Sequence, residues 1–163
     1  MKIVREKLTV LSMLTALTVV LAMFFTIPVP MTKGYVNFLE VGIYTAAMLY
    51  GGVAGLLVGA ISGGMLDMLL GYPQWIIFSV LIHGAQGYIA GKWTVGKSYK
   101  VRLFWLSLAS LIMVVGYFFA GALLYGYGAS LASIPGNIIQ VIFGTFASLM
   151  VVGILEKRSL VKP

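Results

Sequence analysis

The chain has 163 residues, of which 61% are hydrophobic and 9% charged, and its 11 Lys and Arg against 4 Asp and Glu give a net charge of +7. Soluble domains carry about 25% charged residues, so this composition excludes a protein that keeps itself in water and specifies an all-α integral membrane protein of one domain. The absence of cysteine removes disulfides and thiolate metal sites, and a lone histidine excludes a multi-histidine centre, so no metal and no cofactor is expected.

The first apolar run, 8–27, follows Lys2, Arg5 and Lys7. It is longer than the roughly 7–15 apolar residues of a signal peptide, and no small-x-small cleavage site follows before Pro28, so it predicts a transmembrane helix. Pro28, Pro30 and Gly34 then break the chain into a loop. A short apolar segment, 38–50, predicts a second helix. The stretch from Gly51 to Gly91 predicts two helices, 52–71 and 74–91, joined at Gly71-Tyr72-Pro73-Gln74-Trp75. Gly51, Gly55, Gly59 and Gly63 recur every four residues, with Asp67 and Gly71 continuing the row. Each such step drifts by about 40° on a helix, so the row stays on one broad face and predicts close backbone approach to a neighbour. A polar connection with Lys97, Lys100 and Arg102 leads to a fifth helix, 103–125. A loop through Pro135 and Gly136 precedes a sixth, 137–155.

Six spans in one compact bundle put both termini on one side. With that side cytoplasmic, 10 of the 11 basic residues lie inside and only Lys33 lies outside, which is the asymmetry the positive-inside rule requires. The positive charge is therefore topogenic, and no nucleic-acid partner is expected.

With this topology most polar residues within the spans cluster toward the outer ends. Glu40 is one turn into the second helix, and Asp67 one turn below Tyr72. His83 is eight residues past Trp75, roughly 12 Å deeper, and Gln86 shares its face. On the sixth helix Asn137, Gln140, Gly144 and Ser148 fall within about 80° of arc, and Ser110, Tyr117 and Gly121 form a similar row on the fifth. Together they outline a pocket open to the outside. Each has a second reading. Glu40 either reaches the interface or contacts a ligand or loop. Asp67, whose carboxylate costs ~2.5–3.5 kcal/mol at mid-bilayer, either binds a ligand or anchors a turn or helix pair. His83, Asn137 and Gln140 contact a ligand or bond neighbouring helices, and Trp75, Tyr72 and Tyr35 stand where an aromatic belt would place them.

Three rivals are set against a binding protein. An intramembrane enzyme using Asp67, Glu40 and His83 lacks an accompanying nucleophile motif or phosphate loop. A stand-alone secondary transporter or channel for a small solute would need polar residues in the inner halves, whereas 8–14 and 148–155 are nearly featureless. A structural subunit without ligand is the third.

The order of segments, LEVGIYTAAMLYGGVAGLLVGAISGGMLDMLLGYPQWIIFSVLIHGAQGYIAG and later IPGNIIQVIFG, resembles the substrate-binding S components of energy-coupling factor (ECF) vitamin transporters. The similarity covers nearly the whole chain. It implies a non-enzymatic subunit of the bacterial cytoplasmic membrane that captures one vitamin near the outer surface, with the first loop, 29–37, as a lid. It implies docking on a transmembrane T component that carries two cytoplasmic ATPases. By position, the resemblance implies pocket contacts from Trp75, His83, Gln86, Tyr117, Asn137 and Gln140. Tyr35 and Asn37 of the lid, with Glu40 and Asp67, complete the candidate set. The family's Ala-x-x-x-Ala docking motif has its nearest matches in Ser12-x-x-x-Ala16 and Thr18-x-x-x-Ala22, so Ser12, Ala16 and Ala22 are the expected docking residues. One histidine, amides, tyrosines and a tryptophan suit a small, flat heteroaromatic ligand with hydroxymethyl groups. Hydroxymethylpyrimidine or pyridoxine fits this better than folate, while riboflavin, thiamine and pantothenate stay open.

Overall fold

The structure, a computed structural model, describes residues 7–158. Lys2, Arg5 and Lys162 of the charge pattern lie outside the described residues. Six helices are present among them: α1 (Leu8–Phe24), α2 (Leu39–Tyr50), α3 (Gly52–Leu70), α4 (Ile76–Lys92), α5 (Tyr99–Tyr125) and α6 (Tyr127–Lys157). They form an integral membrane bundle. Helices α3, α5 and α6 are each long and apolar enough to cross a bilayer. Helix α2 has 12 residues, which at 1.5 Å per residue makes about 18 Å against a hydrocarbon core of about 30 Å. It is the central element, packed against α1, α3, α4 and α6, and Leu39, Glu40 and Ile43 through Leu49 are all buried.

The tightest packing is between α3 and α4. Each step of four along α3 meets a step of four back along α4. A Cβ on Gly51's partner Gly91 would lie 2.5 Å from the Gly51 carbonyl carbon, and Cβ atoms on Gly55 and Gly87 would each strike the other's carbonyl. The next steps bring Gly59 onto the His83 carbonyl and Gly63 against Ser79 and the His83 ring. The two helices are closed by Gly71, which takes the left-handed φ of 80° that glycine adopts freely. Its neighbour Tyr72 donates its N–H to the Asp67 carbonyl at 2.8 Å, and Pro73 starts a 3-10 turn, Pro73–Trp75.

Two segments differ from the sequence reading. The loop after α1 is an antiparallel hairpin, β1 (Ile27–Val29) with β2 (Gly34–Val36), paired Ile27 to Val36 and Val29 to Gly34. Its tip is a 3-10 turn, Pro30–Thr32, ended by Lys33 in the left-handed region at φ 44°. Two strands alone are marginal, so docking sustains them: the Trp75 indole N–H donates to the Lys33 carbonyl at 3.2 Å, and Val36 packs at Gly136 of α6, where a Cβ would come within 3.0 Å. The second difference is at 126–136. Only Gly126, at φ 87°, interrupts the helices there, and Pro135 lies inside α6. The ring forfeits one helical hydrogen bond, but the flanking turns are held by packing and by bonds such as Ser133 Oγ to the Ser130 carbonyl at 2.8 Å.

The basic end of the bundle is tied by Arg102 at the start of α5. Its guanidinium makes two bonds to the Glu156 carboxylate, at 2.9 and 2.6 Å, and a third to the Thr94 carbonyl at 3.2 Å. Lys7 covers the Tyr50 ring at the same end, 4.6 Å from its centre.

Two outcomes test this packing. Gly55→Ala is expected to lower unfolding free energy by about 1–3 kcal/mol through overpacking, whereas Gly153→Ala, which has open space around it, stays within about 0.5 kcal/mol; thermal unfolding in detergent compares them. The hydrogen bonds and charge of Arg102 hold the Glu156 carboxyl below its ordinary 4.5. Its stabilising contribution is therefore complete above that value and lost as pH falls through the lowered folded value. The melting-temperature difference between wild type and Glu156→Gln should accordingly be largest at neutral pH and vanish in strong acid.

Candidate functional site

At the end of the bundle opposite Arg102, the hairpin roofs a cavity of about 40 Å³, room for about two or three waters. Its lining combines Val29, Gly34, Tyr35 and Asn37 of the hairpin region with Asp67 of α3, Trp75 and His83, Met113 and Tyr117 of α5, and Ser133, Asn137 and Gln140 of α6. Larger grooves exist, such as one of about 320 Å³ between α1, α2 and α6. That groove is lined almost wholly by apolar side chains facing the hydrocarbon, so the small cavity is where the polar chemistry lies.

The structure thus brings eight sequence candidates to one cavity: Tyr35, Asn37, Asp67, Trp75, His83, Tyr117, Asn137 and Gln140. Two others do not reach it. Gln86 and Glu40, both 0% exposed, stand behind His83 and Gln140, because α2 and the deeper turn of α4 point into the bundle centre. Trp75 is not a membrane-belt residue. It is 5% exposed and packs among Tyr117, Tyr125 and Phe78 with ring centres 5.7, 5.9 and 6.3 Å away. The docking expectation also needs a correction: Ser12 and Ala16 are exposed, but Ala22 is 0% exposed and Thr18 only 5%, since that pair faces α2, where a Cβ on Gly42 would strike Thr18. Of the other lining residues, Val29 and Gly34 belong to the loop 29–37 expected as a lid, Ser133 extends the polar row by one turn from Asn137, and Met113 carried no sequence signal.

A hydrogen-bond chain runs from the cavity into the core. Ser79 Oγ and Tyr117 Oη are 2.6 Å apart, and Tyr117 Oη is 3.0 Å from His83 Nε2. His83 Nδ1 is 2.8 Å from Gln86 Oε1, and the Gln86 amide donates to Tyr44 Oη at 2.8 Å. Tyr44 Oη in turn lies 2.8 Å from Ser110 Oγ. With Gln86 Oε1 as acceptor, the imidazole donates from Nδ1, and its Nε2 accepts from Tyr117 when the ring is neutral. Glu40 sits beside this chain, 3.7 Å from His83 Nδ1, and both of its oxygens receive the Gln140 amide, at 3.1 and 2.9 Å. The other end of that amide, Gln140 Oε1, accepts the Asn37 N–H at 2.7 Å. Glycine makes the room: a Cβ on Gly144 would overlap the Glu40 side chain, and one on Gly63 would come 2.8 Å from the His83 ring.

The hairpin is latched by cavity residues. Tyr35 Oη donates to Asp67 Oδ1 at 2.5 Å, and the Tyr35 ring meets Tyr72 at 5.0 Å. Burial, then the neighbouring Asp67 charge, push the Tyr35 phenol well above its ordinary range, so it stays a donor. Asn37 uses its side chain locally, accepting the Leu39 N–H at 2.7 Å where α2 begins.

A membrane-embedded helical bundle with a polar, aromatic cavity under a latched hairpin defines a small-molecule-binding membrane protein. The family model described as "ECF-type riboflavin transporter, S component" matches residues 2–157, and the chain belongs to this family. It is 40% identical over 156 residues to the thiamine precursor transporter HmpT of Lactococcus lactis subsp. cremoris (strain MG1363), covering 95% of this chain and 90% of that protein. An uncharacterized protein of Pyrococcus woesei is 33% identical over 140 residues, covering 85% and 94%. A solved structure described as "Structure and mechanism of the S component of a bacterial ECF transporter" shares the fold, with a TM-score of 0.74 at 24% identity over 94% of this chain and 96% of that one. The chain is therefore a substrate-binding subunit of a vitamin transporter and a membrane protein.

The network predicts unequal costs. Gln140→Leu strips Glu40 of its donor and the Asn37 N–H of its acceptor, and is expected to lower unfolding free energy by about 3 kcal/mol; Tyr117→Phe should cost about 1 kcal/mol. Chemical denaturation in mixed detergent micelles measures both.

Proposed function

We propose that this protein captures a thiamine precursor, hydroxymethylpyrimidine, from outside a bacterial cytoplasmic membrane and delivers it inward together with a T component and two ATPases. The observation that carries the reading is the cavity lining: three aromatic rings, Tyr35, Trp75 and Tyr117, stand among amide, imidazole and carboxylate groups, and none of the lining residues is Lys or Arg. That suits a flat, uncharged or weakly basic ring, stacked and hydrogen-bonded at its edges, and it disfavours a polyanionic ligand such as folate. The name of the L. lactis relative supports the substrate. The description of the family model points instead to riboflavin. Neither a tricyclic ring with a ribityl chain nor a substituted single ring fits about 40 Å³ as it stands, and the tricyclic one requires the larger opening.

In this reading Trp75 and Tyr117 present one aromatic wall to the ring, and His83, Asn137 and Gln140 bond its polar groups. Glu40 and Gln86 orient His83 and Gln140 from behind, and the hairpin closes over the ligand. The basic end of the bundle faces the cytoplasm. Partner docking uses Ser12 and Ala16, which border an open groove between α1 and α3 of about 330 Å³.

Purified protein in detergent, titrated with a vitamin panel and followed by tryptophan fluorescence, should respond to hydroxymethylpyrimidine. His83→Ala and Asn137→Ala should each weaken it by about tenfold or more without loss of expression. Unchanged affinity in both would move the pocket elsewhere. Uptake in cells should vanish when the ATPase partners are deleted, and persistence would favour a stand-alone secondary transporter. Ala16→Trp should abolish co-purification with the T component while leaving ligand affinity intact.

A further inference from the structure

Among the described residues, two buried side-chain oxygens have no hydrogen-bond partner, Thr45 Oγ1 and Asp67 Oδ2. Thr45 borders the apolar groove on the lipid side. Asp67 is different: it is 2% exposed and lines the polar cavity. Its other oxygen, Oδ1, receives the Tyr35 hydroxyl. As a carboxylate the group only accepts. Ser79 faces it from α4, but its hydroxyl is shared with Tyr117 Oη, 2.6 Å away. A buried carboxyl oxygen without a hydrogen-bond partner is costly, and interiors rarely keep one. At a cavity wall, the donor comes with what enters.

We infer that Asp67 Oδ2 is the specificity-determining acceptor of this site and reads an N–H on the ligand, either an exocyclic amine or a protonated ring nitrogen of a heteroaromatic ring. The inference rests on the pyrimidine reading above and narrows it: the ring must present an amino edge toward α3. A carbonyl at the same place would set two acceptors against each other, and a hydrogen there would leave Oδ2 unpaired. The carboxylate that takes the ligand's N–H also holds Tyr35, so the group that reads the ligand is the group that fastens the hairpin.

The test compares two ligands on the full-length protein: the amino-hydroxymethylpyrimidine, and its oxo counterpart in which a carbonyl replaces the amine. Wild type should bind the amino form at least about 100-fold more tightly. Asp67→Asn keeps an oxygen for Tyr35 and puts an amide N–H in place of Oδ2, so it should shrink that preference by at least about tenfold or reverse it. Tyr35→Phe loosens the hairpin without touching Oδ2; both affinities should fall together and their ratio should hold. Equal affinity of wild type for the two ligands overturns the inference, and that measurement needs no variant to fold. An Asp67→Asn protein that binds with the wild-type ratio also overturns it while leaving the pyrimidine reading in place. If neither pyrimidine binds and another vitamin does, the substrate reading itself has failed, and this inference with it.

Discussion

Helices α3 and α4 meet backbone to backbone, and the rest of the structure depends on that contact. Gly55 and Gly87 each set the place of the missing Cβ against the other's carbonyl, which no side chain larger than hydrogen would allow. Lacking a hydrophobic drive between helices in lipid, such packing draws on dispersion and close dipolar contact. It also sets positions. Because Gly59 and Gly63 continue the row, His83 and Ser79 are pressed against α3 without a side chain between them. The imidazole is turned toward α2 and α5, where Glu40, Gln86 and Tyr117 meet it. Gly144 repeats the device on α6, leaving space for the Glu40 side chain.

The polar network that results is balanced in a particular way. Glu40 is wholly buried and no Lys or Arg reaches it among the described residues; it is held by the Gln140 amide and by His83 at 3.7 Å. Gln140 spends its remaining oxygen on the backbone of Asn37. One side chain therefore joins the central helix, the hairpin and α6. On the opposite side of the cavity, Asp67 and Trp75 bond the hairpin at Tyr35 and Lys33. The position of the roof and the shape of the cavity are consequently coupled through the same side chains.

Much of this was legible in the residues. The apolar runs, the glycine row and the charge asymmetry specify helices and their order, because in a bilayer every backbone group must be satisfied within its own segment. The rows at Asn137 and Gln140 and at His83 and Gln86 pointed to one end of the bundle, since helical periodicity fixes which side chains share a face. The hairpin was not legible. Its strands are three residues each and exist because Trp75 and α6 hold them. Pro135 read as a break, yet α6 continues through it because neighbouring packing offsets one lost bond. Ala22 read as surface because spacing shows which residues share a face but not which way that face points.

The sequence by itself determined a six-helix membrane bundle, the close α3–α4 approach, and a polar outer end, for these follow from local hydropathy and from periodicity along one helix. Only the tertiary structure decided which polar groups line the cavity and which stand behind them. Glu40 and Gln86 went to the core and Trp75 turned inward, and Asp67 was left with one oxygen engaged and the other open. Those outcomes depend on rotations and depths of helices relative to one another. Contacts between residues far apart in the chain, such as Gln140 with Glu40 and Tyr35 with Asp67, set these, and no local pattern encodes them.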